Sequence, residues 1–133
     1  MKLSFAIETD LSAEEFQSIL MRSTLAERRP AQDIMRLDKM LREADLIVTA
    51  RLDIKLIGIS RAITDFCYCC YLSDLAVDVD HQRKGIGKKL IEKTHEAAGV
   101  NTALVLVAAP AAEGYYPKIG MKHVSSCWMI PRK

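Results

Sequence analysis

The sequence has no long apolar run. Its longest, Ala103 to Ala112, holds ten residues, well short of the ~20 that a membrane-spanning helix needs. Behind Met1 and Lys2, Glu8 interrupts the apolar stretch before it reaches the length of a signal-peptide core. A cytoplasmic protein with no membrane partner is therefore expected. Charge of one sign is also missing: 19 basic and 17 acidic side chains leave a formal +2, so attraction to an anion must come from local clustering. A general nucleic-acid coat is not expected. Among the four cysteines, Cys67, Cys69 and Cys70 form C-x-C-C, which lacks the C-x₂-C spacing of most zinc sites, and no histidine stands at ligand spacing. Reduced, buried thiols in a strand and no metal are the expectation.

Half of the 133 residues are hydrophobic and 27% are charged, the balance of a soluble globular chain of one domain, residues 1–133. Leu3, Phe5 and Ile7 alternate with polar or small neighbours, which predicts a strand. Ser12 and Glu15 form a capping box ahead of Phe16, Ile19 and Leu20 at helical spacing. Ile34, Leu37 and Leu41 predict a second helix after the charged connection Ala26–Pro30. The β-rich runs Leu46–Leu52, Leu56–Thr64 and Cys67–Val79 read as three antiparallel strands joined by turns at Asp53-Ile54-Lys55 and Asp65-Phe66. Gly87–Ala98 predicts a helix stopped by Gly99. Ala103–Ala108 predicts a strand covered on both faces, followed by a short helix near Ala111–Lys118 and a last strand over Lys122–Ile130. The order β-α-α-β-β-β-α-β-α-β describes a mixed α/β domain without repeats or low-complexity segments.

The chemistry is concentrated in one stretch, Leu72 to Leu90. A buried strand ends near Val77 or Val79, a polar loop follows, and Gly85 and Gly87 open an amphipathic helix. Glycine there removes the Cβ atoms that would block approach to the first helical N–H groups. Arg83, Lys84, Lys88 and Lys89 crowd the positive end of the helix dipole, an arrangement that favours a bound anion. The alternative is a solvated basic helix face. Neither standard nucleotide motif is present: Gln82 stands where the P-loop has its first glycine, and Leu90 where a dinucleotide fingerprint has its third.

Gln82-Arg83-Lys84-Gly85-Ile86-Gly87, preceded by Leu75-Ala76-Val77, resembles the acetyl-coenzyme A motif Q/R-x-x-G-x-G/A of the GNAT superfamily of N-acetyltransferases. Tyr115-Tyr116-Pro117-Lys118-Ile119-Gly120-Met121 is similar to that family's F-Y-x-K-L-G-F, at its usual distance downstream. The resemblance implies a GNAT-type central, mostly antiparallel sheet with helices on both faces. It implies that acetyl-coenzyme A is the donor, with its pantetheine arm along the backbone of Leu75, Ala76 and Val77. The Val77 amide would face the thioester oxygen, and the segment Gln82, Arg83, Lys84, Gly85, Ile86, Gly87 and Lys88 would hold the pyrophosphate. Tyr116 matches the tyrosine that protonates the departing thiolate. Two departures stand out: Ala109 replaces an asparagine common in the family, and Gly114 and Pro117 weaken the helix that carries Tyr116.

An alkylammonium loses its proton at pH 7 only at a cost of about 4.6 kcal/mol, so a base or capture of the neutral amine is needed. Asp74, three residues before Val77, is the candidate base; its other reading is a structural hydrogen bond. Phe66, Tyr68, Tyr71 and Trp128 are candidate acceptor-pocket aromatics, and Arg28 and Arg29 candidate contacts for an acidic acceptor. The expectation is acetyl transfer to a primary amine of a small molecule or peptide by direct attack in a ternary complex. The alternatives are a catalytically weak acetyl-coenzyme A sensor or interaction module, and an RNA-binding basic cluster. A homodimer in contact through the last strand is a further expectation.

Overall fold

A computed structural model describes residues 1–133. Five strands, β1 (Leu3–Ile7), β2 (Leu46–Leu52), β3 (Lys55–Thr64), β4 (Cys69–Val77) and β5 (Ala103–Val105), form one sheet in sequential order. The first four are antiparallel neighbours, and β5 joins β4 in parallel. The parallel step requires a crossover, which is supplied by a helix at residues Ile86–Ala98.

Helices α1 (Ala13–Arg22) and α2 (Ile34–Arg42) precede the β2–β3 hairpin. Ser12 caps α1 by accepting the Glu15 N–H, and Asp33 caps α2 by accepting the Arg36 N–H. Each cap satisfies a first-turn donor that the helix itself leaves unpaired. Phe16, Ile19, Leu20, Leu37 and Leu41 pack on Ile47, Ile59 and Ala76 from one side of the sheet. Helix α3 (Ile86–Ala98) packs Ile86, Leu90 and Ala98 on Val48, Ala50, Ile57 and Cys70 from the other. Alternation along β2 and β4 sends successive side chains to these two cores, so the sheet carries helices on both faces.

The register between β3 and β4 slips once: Arg61 pairs with Asp74 but Ala62 with Leu72, leaving Ser73 without an opposite residue. Such a bulge bends the strand locally at the centre of β4. The β4–β5 pairing covers only Cys69–Tyr71 against Ala103–Val105. From Leu72 to Val77, β4 has no strand beside it on that side.

Several expectations need correction in the C-terminal quarter. The strand expected over Ala103–Ala108 stops at Val105 and is not covered on both faces: Leu104 packs against the core on the α3 side, while Ala103 and Val105 remain exposed. The helix expected over Ala111–Lys118 is divided into a 3-10 turn at Pro110–Ala112 and a one-turn helix α4 at Tyr115–Lys118; Gly114 and Pro117 disfavour a longer one. The strand expected over Lys122–Ile130 is not formed, since this segment pairs with no edge, and Trp128 and Ile130 are 91% and 95% exposed. The cysteines also differ from expectation: only Cys70 is buried, while Cys67 and Cys69 lie exposed at the β3–β4 turn and Cys127 in the tail; all four are free. No helix is long and apolar enough to cross a membrane.

Candidate acetyl-donor site

Beyond Val77 the chain turns through Asp78, a 3-10 turn at Val79–His81 and the loop Gln82–Gly85 into α3. Asp78 fixes the start of this loop. Its backbone N–H donates to the Ile57 carbonyl at 2.9 Å, its carboxylate accepts the Asp80 N–H at 2.9 Å, and it pairs with Arg22 at the end of α1 at 2.6 Å. Burial pushes the Asp78 carboxyl up, but the Asp80 N–H and Arg22 outweigh it and hold it below its ordinary value. The Gln82 side-chain amide donates to the Val77 carbonyl at 2.9 Å, folding the loop back on the strand end.

Gly85 precedes α3 with φ +80°, a left-handed conformation that glycine adopts without a steric cost. No side chain caps the helix, so its first-turn N–H groups are open to a ligand. Arg83, Lys84, Lys88 and Lys89 are exposed, and none joins any of the seven ion pairs in the molecule. Four free cations and uncapped N–H groups at a helix N-terminus form a cradle for an anion. Gly87 lies in its floor, where an added Cβ would stand 3.0 Å from the Tyr115 hydroxyl and 3.8 Å from a Val77 methyl. The open edge of β4 over Leu75, Ala76 and Val77 leads directly to this cradle. An extended acyl chain ending in a pyrophosphate fits that shape: backbone groups along the strand, then N–H groups and cations at its end.

Tyr116 sits on α4, edge-to-face with Tyr115 at 5.3 Å between ring centres. Burial, followed by the neighbouring Tyr115, pushes its phenol above the ordinary tyrosine value. It is therefore protonated throughout the physiological range and holds its proton more firmly than a free tyrosine.

Asp74 does not have the free carboxylate expected of a base. It is fully buried, and its two oxygens accept from the Nε of Arg29 and the Nε of Arg61. Arg29 also donates to the Ser73 carbonyl at 2.8 Å, and Arg61 to the Ser73 hydroxyl at 3.1 Å. The cluster thus ties the α1–α2 connection to β4 at its bulge. This also occupies Arg29, which the sequence offered as an acceptor contact, whereas Arg28 stays exposed. The signal for this clamp was in the sequence: Arg61 is the one charged residue between Leu56 and Thr64, and a guanidinium in a buried strand requires a carboxylate.

Of the expected pocket aromatics, Tyr71 lines a groove of about 420 Å³ with Ile63, Cys69 and Val105, beside the point where β4 and β5 part. Phe66 and Tyr68 project from the β3–β4 turn, and Trp128 from the tail. His95 is bonded to the Thr102 carbonyl at 2.8 Å and serves the end of α3. No group of three or more histidine, cysteine or acidic side chains is arranged to hold a metal ion.

The pattern of the acetyltransferase (GNAT) domain family matches residues 43–122. No curated protein matches the sequence. Among solved structures, a Staphylococcus aureus protein of unknown function described as a probable acetyltransferase is 20% identical over 99% of this chain and 100% of its own, with a TM-score of 0.78. The ribosomal-protein-alanine N-acetyltransferase of Brucella melitensis is 21% identical over 99% and 100% of the two chains, TM-score 0.71. An aminoglycoside acetyltransferase from an uncultured soil metagenomic sample, solved with sisomicin, is 21% identical over 98% and 96%, TM-score 0.67. At these identities the structures share the fold, and the two whose names give an acceptor differ in it, a ribosomal-protein alanine in one and an aminoglycoside in the other. With the family pattern spanning the bulged strand, the cradle and α4, the chain belongs to the GNAT acetyltransferase family.

Proposed function

We propose that this acetyltransferase moves the acetyl group of acetyl-coenzyme A to a primary amine of a small molecule or peptide, by direct attack in a ternary complex. The observation that carries the reading is the uncapped, glycine-floored start of α3, with four unpaired cations, set at the end of an open β4 edge. In this reading Leu75, Ala76 and Val77 receive the pantetheine arm along their backbone. Gln82 orders the loop, and the N–H groups and charges of Arg83, Lys84, Gly85, Ile86, Gly87 and Lys88 receive the pyrophosphate. Acetyl-coenzyme A supplies the acetyl group as a thioester.

The amine attacks as the neutral base: its nitrogen bonds to the carbonyl carbon, the C–S bond breaks, and the thiolate takes a proton from Tyr116. A thiol near pKa 8.5 against a phenol near 10 makes that transfer uphill by about 1.5 units, and burial of Tyr116 widens the gap. The departing sulfur must therefore be close to the phenol, where a direct hydrogen bond lowers the barrier. Asp74, engaged by two guanidinium groups, contributes by holding the α1–α2 connection on β4; the ammonium proton leaves to solvent, and Tyr116 recovers from solvent the proton that it gave. The free thiols and the absence of a spanning helix support a cytoplasmic setting. The unpaired apolar tail around Trp128 supports contact with a second copy.

Incubation with acetyl-coenzyme A and a pooled panel of polyamines, arylalkylamines, aminosugars, amino acids and lysine or N-terminal peptides, read by mass spectrometry, tests the reading. One dominant acetylated product is expected. In Tyr116→Phe, kcat should fall at least ~100-fold with cofactor Kd unchanged. Cofactor binding without any product from the panel would instead favour a sensor or interaction module.

A further inference from the structure

The Tyr115 side chain lies where the donor's pyrophosphate would enter. Its hydroxyl is 3.0 Å from the position of a Cβ on Gly87, the space that the missing side chain opens. The backbone N–H of Lys88, one residue further into α3, faces the same hydroxyl and favours its ionised form, while burial opposes that more strongly. The phenol oxygen thus lies over the first turn of α3, in the space beside Gly87 and its open N–H donors.

Few contacts hold Tyr115 in this position. It belongs to a one-turn helix with no buried residue and no side-chain cap, preceded by Gly114 and followed by Gly120 with φ +89°. Tyr116 follows it directly and packs against it edge to face, so a shift of one ring disturbs the packing of the other.

We propose that Tyr115 gates the cradle: in the free enzyme its hydroxyl occupies the first turn of α3, and the entering pyrophosphate displaces it and repositions Tyr116 with it. This rests on the acetyl-coenzyme A reading of the site. The gate places the acid only when the donor is present, at the cost of donor affinity, because only the fraction of molecules with Tyr115 withdrawn can bind. Removing a hydroxyl whose contact with the helix start is worth about as much as one hydrogen bond shifts such an equilibrium about three- to tenfold.

The test has two readouts. In the ligand-free protein, hydrogen exchange of the Lys88 amide followed by NMR should be slowed in the wild type and faster in Tyr115→Phe; equal exchange overturns the gate. By calorimetry, Tyr115→Phe should bind coenzyme A about three- to tenfold more tightly than the wild type. Equal or weaker binding by a folded variant removes the gate and leaves the donor-site reading standing, whereas no binding by either protein removes both. Should the variant fail to fold, the wild type still decides: the close contact of the Tyr115 ring with Gly87 should vanish from its NMR spectra when coenzyme A is added, and its persistence overturns the proposal.

Discussion

Asp74→Asn separates two roles for the one carboxylate that lies at the centre of β4. The aspartate is fully buried and pairs with Arg29 and Arg61, whose side chains are 21% and 9% exposed. Removing one partner of a buried pair costs 3–5 kcal/mol because the remaining charge is left uncompensated. Here both guanidinium groups retain some contact with water and with Ser73, so about 2–4 kcal/mol is expected. The asparagine amide also turns one acceptor into a donor facing a guanidinium. At roughly 3 °C per kcal/mol for a chain of this length, Tm should fall by about 6–12 °C. Urea unfolding and calorimetric melting of the variant measure this directly. Turnover should be assayed well below the lowered Tm, where kcat should stay within about tenfold of the wild type because no proton passes through Asp74. The opposite pattern, a stability change under about 1 kcal/mol with a 10²- to 10⁴-fold loss of kcat, is the mark of a general base and would refute the anchoring argument.

Gly87→Glu should abolish coenzyme A binding by placing both bulk and a negative charge in the cradle; an unchanged calorimetric Kd would remove Gly87 from the site. The pH dependence of stability should show an acid limb. The Glu8 carboxyl is held below its ordinary value mainly by its hydrogen bond to Arg51, and Asp78 is also lowered in the net. Carboxyls depressed in the folded state stabilise it fully above their unfolded values near 4, and that contribution is lost as pH falls through the folded ones. Urea midpoints should therefore be level between about pH 7 and 6 and fall steeply below about pH 4. In Glu8→Gln the fall should be shallower, and an identical slope would contradict the assignment.

The uncapped start of α3 was legible in the sequence because local residues dictate its backbone geometry. Gly85, Gly87 and the flanking cations announce an open helix start by spacing alone, and the antiparallel run from Leu46 to Val77 follows from alternation and turn residues. The two-sided placement of helices followed from the family likeness of those same motifs. The C-terminal strand was misread because apolar residues give a segment the capacity to pair and say nothing of whether an edge is there to receive it: Lys122–Ile130 carries Val124 and four apolar residues from 127 to 130 and finds no partner in its own chain.

What the sequence by itself determined was the identity of the family and the glycine-flanked, cation-rich start of α3, both read from motifs of neighbouring residues. Only the tertiary structure decided the state of Asp74. Its partners lie 45 and 13 residues away, brought together by the α1–α2 connection and by the β3–β4 register, and those two guanidinium groups engage both oxygens of the carboxylate that the sequence offered as a base. The same holds for Tyr115, which is 28 residues from Gly87 and meets it only because the chain after β5 folds back over the start of α3. Charge and reactivity depend on what stands within a few ångströms, and for residues this far apart in the chain that distance is set by folding.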